Sequence, residues 1–350
     1  MTTKINSLET LRGFAALVVA LYHFPSTSPL YIEKGNLAVY FFFSLSGFVI
    51  SLNYFDKINS FKDVLKFQIK RFYRLYPIHI LVLLIILSIQ LLKFFLLNFF
   101  EIESGSDAFE PDKIYSLSEF FRHLLLLQAV YKDGYFLSWN GAAWTISTEF
   151  YTYFLFGLLT LITQNNKFFF ILITFLFIYF FDIATIYLSE FLNPIFFECI
   201  KYFFTGCISY FIFQVIKHRI NDFTFILIII SFLFFEKKFF FLDSNISFCL
   251  IILLVSILKT ESQISKLLNL KPLVYFGSIS YSFYMIHQSI LYIYIQILKL
   301  VFKVKFVYYG NVATNTGNVY FDTFIMLTYI FLATIVASFM YKYVETKFRK

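Results

Sequence analysis

The chain has 350 residues, of which 59% are hydrophobic and only 14% are charged, and its mean hydropathy is +0.74. So little polar surface could not cover a soluble globular protein. The sequence also lacks the short segments of alternating apolar and polar residues that build a membrane β-barrel. We therefore predict an all-α, polytopic membrane protein.

The formal net charge is +8. In a membrane protein, this excess of Lys and Arg indicates orientation rather than nucleic-acid binding. Cys199, Cys207 and Cys249 lie in apolar runs without CxxC spacing, so we predict neither a disulfide framework nor a metal site. No small-residue cleavage site follows the first apolar run, which we expect to be a retained first span.

Apolar segments long enough to cross about 30 Å of hydrocarbon recur along the chain. We predict a helix bundle of about ten transmembrane helices, forming one domain over residues 1–350. The predicted spans are 8–24, 37–55, 77–97, 141–163, 167–188, 195–215, 223–236, 244–258, 273–296 and 322–341. The short seventh and eighth segments either cross fully or form a re-entrant pair.

The loops between spans predict which face of the membrane each one occupies. The loop 56–76 contains four lysines and two arginines against two acidic residues, so it is expected in the cytoplasm. The connection 98–140 is rich in Glu and Asp and suits the opposite side. An even number of spans then places both the N- and C-termini in the cytoplasm.

Three titratable residues inside the predicted spans are candidates for chemistry, because ionisable groups in a membrane are costly. His23 lies roughly 22 Å above the cytoplasmic start of its span, His287 roughly 21 Å above its own, and Glu149 roughly 12 Å below the outer boundary. Two imidazoles and a carboxylate at similar depth suit proton transfer, since a carboxylate can fix a histidine tautomer. The alternative for each residue is a structural hydrogen bond between helices.

Three arginines lie near the inner face of the predicted bundle. Arg12 is about one turn into the first span, and Arg71 and Arg74 are three residues apart, so on a helix they share a face. Guanidinium groups on one face suit forked hydrogen bonds to phosphates, although positive-inside anchoring is the simpler explanation. The sequence therefore suggests an anionic ligand at the inner face and a base deeper in the membrane.

Five stretches in order resemble the membrane acyltransferase 3 family, whose members O-acetylate bacterial surface and secreted glycans. They are Arg12 followed by His23, "FFFSLSGFVIS" at 41–51, "KRFYRLYP" at 70–77, "WTISTEFY" at 144–151 and "SISYSFYMIH" at 278–287. Each motif alone is weak, but five in register over nearly the whole chain form a specific pattern.

The resemblance implies an enzyme of the bacterial cytoplasmic membrane that takes an acetyl group from cytoplasmic acetyl-CoA. It implies a carbohydrate hydroxyl as acceptor, on a polysaccharide, a lipid-linked glycan or a glycoside. Carried over by position, the catalytic residues are His23, Glu149 and His287, the donor-binding residues are Arg12, Arg71 and Arg74, and the core-lining residues are Ser46, Gly47, Trp144 and Tyr281.

The chain departs from the family pattern in two respects. The last helix ends with Glu345-Thr346-Lys347, without the proline that often follows this glutamate in relatives, so a role for Glu345 is not expected. Many relatives carry a fused SGNH domain, which we do not expect here.

The expected chemistry requires one base, because a neutral alcohol is a poor nucleophile whereas the leaving thiolate needs little protonation. His23 suits this role, with Glu149 or His287 orienting it. Direct transfer and an acyl-histidine intermediate both remain open, as do the acceptor and the size of the acyl group. The alternatives to an enzyme are a transporter or flippase for lipid-linked glycans and a non-catalytic membrane scaffold.

Overall fold

The computed structural model of the protein describes residues 5–24, 26–100, 109–239, 244–309 and 312–348. Most of these residues are helical. The helices are α1 (Asn6–Tyr22), α2 (Gly35–Tyr54), α3 (Phe61–Phe100), α4 (Leu117–Leu124), α5 (Trp144–Ile162), α6 (Lys167–Tyr179), α7 (Phe181–Leu188), α8 (Pro194–Val215), α9 (Asp222–Phe239), α10 (Ser244–Ser256), α11 (Gln263–Leu268), α12 (Lys271–Leu300), α13 (Val319–Met340) and α14 (Thr346–Phe348). Two 3-10 turns, Phe55–Lys57 and Gly141–Ala143, and a π-helical turn, Tyr341–Glu345, flank the longer helices.

Five helical stretches in the described chain are long and apolar enough to cross a membrane. They are Gly35–Lys57, Phe61–Phe100, Gly141–Ile162, Pro194–Val215 and Val319–Phe348, and each coincides with a predicted span. Lys167–Tyr179, Asp222–Ser231 and Ser247–Ser256 are apolar but shorter. The multi-pass helical architecture is thus supported, whereas ten crossings and two cytoplasmic termini stay predictions.

Two predicted boundaries are wrong. The segment 56–76 is not a loop through most of its length, because α3 begins at Phe61 and continues through Pro77. The predicted span 167–188 is divided at Phe180 into α6 and α7. Hydropathy reports where a chain is apolar, and it does not report where a helix starts or bends.

Two short strands accompany the helices. The strands β1 (Val307–Tyr309) and β2 (Val312–Asn315) pair antiparallel between α12 and α13. Both strands contain valine, and β1 contains two tyrosines, residue types that favour extended backbone. The hairpin joins two long helices and leaves the helical class of the fold unchanged.

The first helix packs along α12 in parallel. Near the start of α1, Thr10 Oγ1 donates to the carbonyl of Leu268 at 2.7 Å. Further along, a Cβ on Gly277 would overlap the carbonyl of Glu9, and one on Gly13 would lie 3.0 Å from the backbone of Gly277. The two backbones touch here because neither glycine has a side chain.

A second close approach joins α2 and α8. A Cβ on Gly47 would overlap the carbonyl oxygen of Phe203, and a Cβ on Gly206 would overlap that of Ser44. Each glycine therefore faces the main chain of the opposite helix. Small residues permit this contact in membrane bundles, where dispersion forces and tight packing hold helices together.

We predict that Gly206→Ala and Gly47→Ala each destabilise the protein, because the new methyl group meets backbone atoms that cannot rotate away. The expected loss is about 1–3 kcal/mol or more, measured as a lower melting temperature in detergent. Gly157→Ala is the matched control, since its Cβ meets only the side chains of Val64 and Phe67. An equal loss in all three variants would contradict the proposed helix contact.

Candidate active site

The structure brings His23 and His287 together. His23 immediately follows the last residue of α1, and its Nδ1 lies 3.3 Å from Nε2 of His287 in α12. The ring centroids are 5.0 Å apart and the rings are tilted by 62°. His287 is only 1% exposed, whereas His23 is partly buried, so the pair joins an enclosed imidazole to one with partial access to solvent.

The hydrogen bonds of the two rings define their tautomers. Nδ1 of His287 lies 2.5 Å from the carbonyl oxygen of Tyr284, and Nδ1 of His23 lies 2.8 Å from that of Val19. A carbonyl oxygen can only accept, so Nδ1 carries the proton in both rings, and in a neutral imidazole Nε2 is then bare. The bare Nε2 of His287 faces Nδ1–H of His23, and Nε2 of His23 is left as the basic nitrogen.

A cavity lies among α1, α2, α3, α5 and α12, and part of it opens to the surface. The empty space measures about 600 Å³. Its lining includes five predicted site residues: Arg12, Ser46, Arg74, Glu149 and Tyr281. The hydroxyl of Ser280, another lining residue, is buried without a hydrogen-bond partner among the described residues. An unpaired buried hydroxyl on a cavity wall is suited to bind a ligand.

Glu149 is held by a tyrosine rather than by a histidine. The Tyr153 hydroxyl donates to Oε1 of Glu149 at 2.5 Å. Because that donation uses the only hydroxyl proton of Tyr153, Ser46 Oγ must donate to the Tyr153 oxygen, 2.8 Å away. Of the two residues expected to orient His23, the structure places His287 against it and Glu149 against Tyr153. Equal depth along two helices does not put two side chains on facing surfaces.

The arginines predicted as a pair have different surroundings. Arg74 lines the cavity, whereas Arg71 donates to the Tyr54 hydroxyl at 3.0 Å and lies over the rings of Tyr54 and Phe67. Side chains three residues apart on a helix differ by about 60° in direction around its axis, which is enough to separate the two guanidinium groups. Arg71 and Arg74, predicted to bind phosphate together, are thus separated. Arg12, not Arg71, lines the cavity with Arg74.

A buried glutamate that sequence reasoning set aside lies beside Arg74. Oε1 of Glu345 is 3.6 Å from Nη1 of Arg74, and Oε2 accepts from Ser282 Oγ at 2.8 Å. Glu345 is 1% exposed and lies in the π-helical turn after α13. Arg12 has a comparable partner in Glu9, at 3.6 Å. The signal that could have found Glu345 is a carboxylate at the end of an apolar helix.

The two remaining predicted residues do not line the cavity. Gly47 lies at the contact between α2 and α8. Trp144 packs edge-on against Phe43, a lining residue, at 5.9 Å between ring centroids, and against Phe136 at 6.5 Å. Both residues therefore support the wall of the cavity from behind.

A second imidazole pair lies apart from the cavity lining. His79 Nε2 donates to the carbonyl of His123 at 2.8 Å, and His123 Nε2 lies 3.0 Å from Ser138 Oγ, which donates to Glu119. Burial lowers the pKa of His123, in the short helix α4, well below its ordinary value of 6.5. These hydrogen bonds join α3 to the segment between α4 and α5, and a structural role accounts for them.

The ring of Tyr284 lies between the cavity and His287, and the ring of Phe42 packs against it. Phe42 and Tyr284 both line the cavity, and their ring centroids are 5.8 Å apart in an edge-to-face contact. The ring of Tyr284 also contacts that of His287, at 5.5 Å between centroids. Neither histidine lines the cavity itself. The space beside the arginines therefore ends one ring short of the imidazoles.

Comparison with known proteins identifies the family of the chain. A family model described as an acyltransferase domain (Acyl_transf_3) matches residues 5–343. No curated protein and no solved structure matches the chain significantly. The match spans all the helices that form the cavity and both helices of the histidine pair, and the chain belongs to the membrane acyltransferase 3 family.

Proposed function

We propose that this protein transfers an acetyl group from acetyl-CoA to a hydroxyl of a cell-surface or lipid-linked carbohydrate, in the bacterial cytoplasmic membrane. The observation that carries the proposal is His23, whose Nδ1 proton is fixed by the Val19 carbonyl and whose ring contacts a second imidazole, close to a cavity that contains arginines. An acyltransferase needs a base and an anchor for an anionic donor, and these two features supply both.

His23 acts as the general base. Its Nε2 takes the proton of the acceptor hydroxyl as that oxygen attacks the thioester carbonyl, and the carbon–sulfur bond then breaks. Coenzyme A leaves as a thiolate, whose conjugate acid has a pKa near that of cysteine, about 8.5, so it needs little assistance. The proton on the His23 imidazolium afterwards passes to the thiolate or to solvent. General-base catalysis of this kind contributes about 10²–10⁴-fold.

His287 orients the base. Its own Nδ1–H is committed to the carbonyl of Tyr284, so its Nε2 can only accept, and it faces at 3.3 Å the Nδ1–H that His23 donates chiefly to the Val19 carbonyl at 2.8 Å. Both acceptors hold this proton on Nδ1, which leaves Nε2 as the bare nitrogen of the neutral His23 ring. When His23 takes up the acceptor proton, the neutral ring of His287 accepts from the resulting imidazolium without adding a like charge.

Arg12 and Arg74 anchor the donor. Both guanidinium groups line the cavity, and guanidinium groups form strong hydrogen bonds with phosphate oxygens. The distances of 3.6 Å to Glu9 and Glu345 exceed those of a close hydrogen-bonded ion pair, so each arginine retains donors for a ligand. Arg12 lies eleven residues before His23 in the chain, a rise of about 16 Å, and α1 thereby joins the anchor to the base.

The proposed orientation places the start of α1, and with it the arginines, toward the cytoplasm. The basic residues of 56–76 support it, because coenzyme A is a cytoplasmic metabolite with a charged head that does not cross lipid. The carbohydrate then approaches His23 from the opposite face.

The principal prediction concerns purified protein in detergent or vesicles. With acetyl-CoA and glycans from cells that lack this protein, wild type is expected to form acetyl esters detectable by mass spectrometry. His23→Ala is expected to lower the rate by about 10²–10⁴-fold. The exposed His218 supplies the matched control, and His218→Ala should retain the wild-type rate. A transporter would instead move glycan without consuming acetyl-CoA, and full activity in His23→Ala would remove the histidine from the mechanism.

A further prediction follows from Phe42 and Tyr284. If the thioester reaches His23 from the cavity, this aromatic pair must part, and removing one ring should open the path. In vesicles that present the start of α1 to the medium, we expect a charged thiol reagent to label Ser280→Cys readily. It should label His287→Cys only when Phe42→Ala is also present. Equal labelling of His287→Cys with Phe42 intact would show that the pair is no barrier.

A further inference from the structure

The carboxylate of Asp322, in the first turn of α13, holds two segments of the chain at once. It is 0% exposed. Its Oδ2 accepts from Thr27 N at 3.3 Å and Thr27 Oγ1 at 2.5 Å, and its Oδ1 accepts from Thr316 N at 2.9 Å and Thr316 Oγ1 at 2.8 Å. Four donors converge on this carboxylate, so each of its principal acceptor positions is occupied by a hydrogen bond.

Thr27 lies only four residues beyond His23. Phe24, the residue after His23, is 1% exposed and packs against the ring of Tyr329, with ring centroids 6.2 Å apart. Thr323 adds another link: its hydroxyl proton goes to the Val319 carbonyl, so its Oγ1 accepts from Ser28 Oγ, 3.0 Å away. The chain that leaves His23 is therefore fixed to α13 at three successive points.

Tyr329 reaches the other member of the histidine pair. It lies seven residues after Asp322, which places both side chains on one face of α13 two turns apart. Its hydroxyl donates to the backbone carbonyl of His287 at 3.3 Å, and the side chain is fully buried. Neither Asp322 nor Tyr329 touches an imidazole nitrogen in these contacts.

The position of His23 explains why such support matters. His23 caps the C-terminal end of α1, and the last turn of a helix has unsatisfied carbonyls and tends to fray. Its ring is held by the carbonyl of Val19, in its own helix, and by the 3.3 Å contact with His287. Small movements of the following loop would therefore displace the base, and misplacing a catalytic group by 1 Å can cost about 10²-fold in rate.

We propose that Asp322 and Tyr329 are positioning residues that hold His23 against His287, with α13 serving as the common support. The proposal rests on the assignment of His23 as the base. Asp322 acts through Thr27 on the loop that follows His23, and Tyr329 acts through the backbone of His287 and the ring of Phe24. If Asp322 only stabilised the fold, loss of its contact with Thr27 would have the same effect on His23 as loss of its contact with Thr316.

Thr27→Val and Thr316→Val form a matched pair for the test. Each removes one hydroxyl donor from the same carboxylate and keeps the backbone N–H, but only Thr27 belongs to the loop of His23. The primary readout is modification of His23 by diethyl pyrocarbonate, which reacts with a bare imidazole nitrogen, followed by peptide mass spectrometry. Thr27→Val is expected to change the modification rate of His23 severalfold, and Thr316→Val should leave it at the wild-type value.

Acetyl transfer supplies the second readout. Losing a hydrogen bond to a carboxylate shifts an equilibrium constant by about tenfold. We therefore expect Thr27→Val to lower kcat by about that factor, while KM for acetyl-CoA stays within about twofold. Tyr329→Phe should also lower kcat. Tyr294→Phe should not, although the Tyr294 hydroxyl likewise joins α12 to α13, at 2.5 Å from Thr328 Oγ1.

The outcomes separate the positioning role from the proposed function. Equal His23 modification rates in the two threonine variants, or equal losses of kcat in Thr27→Val and Thr316→Val, would overturn the positioning role. Absence of acetyl transfer in wild type would instead overturn the proposed function. The modification experiment does not require turnover, so it decides the positioning role in either case.

Discussion

The arrangement of the site depends on one close contact, the parallel packing of α1 on α12 at Gly13 and Gly277. The two backbones touch there, and ten residues farther along each helix lie His23 and His287. Because parallel helices rise at the same rate, a contact at the glycines brings the two histidines to one level. The same crossing leaves Arg12 facing the cavity. A side chain at Gly277 would overlap the carbonyl of Glu9, force the helices apart and separate the base from its orienting partner.

The other helices of the bundle supply polar side chains to the wall of the cavity. Tight packing of α2 on α8 fixes Ser46, and the chain Ser46–Tyr153–Glu149 spans α2 and α5 with every hydroxyl proton assigned. The opposite charges of Arg74, on α3, and Glu345, in the π-helical turn, compensate each other. Ionisable groups are expensive in lipid, and here hydrogen bonds or opposite charges compensate them. π-Helical turns frequently occur at functional sites, which fits the position of Glu345 beside the proposed donor anchor.

Much of this site follows from the sequence, and the remainder required coordinates. Counting residues along a rigid helix predicts depth, so the level shared by His23 and His287 could be foreseen. Depth does not give direction around the helix axis, so it cannot decide between Glu149 and His287 as the neighbour of His23; the structure places His287 there and Glu149 against Tyr153. The same limitation hid the separation of Arg71 from Arg74. The absence of a following proline says nothing about Glu345, because its burial against Arg74 depends on how the π-helical turn after α13 packs on α3. The strands β1 and β2 escape hydropathy, which reveals spans and is insensitive to short strands.

The most direct test of the account is an experimental structure of the protein with a non-hydrolysable acetyl-CoA analogue bound. The account predicts that the phosphates contact Arg12 and Arg74, that the rings of Phe42 and Tyr284 have moved apart, and that the acyl carbon lies within reach of a hydroxyl hydrogen-bonded to Nε2 of His23. An analogue bound with its phosphates away from both arginines, or with its acyl group on the far side of a closed Phe42–Tyr284 contact from His23, would contradict it.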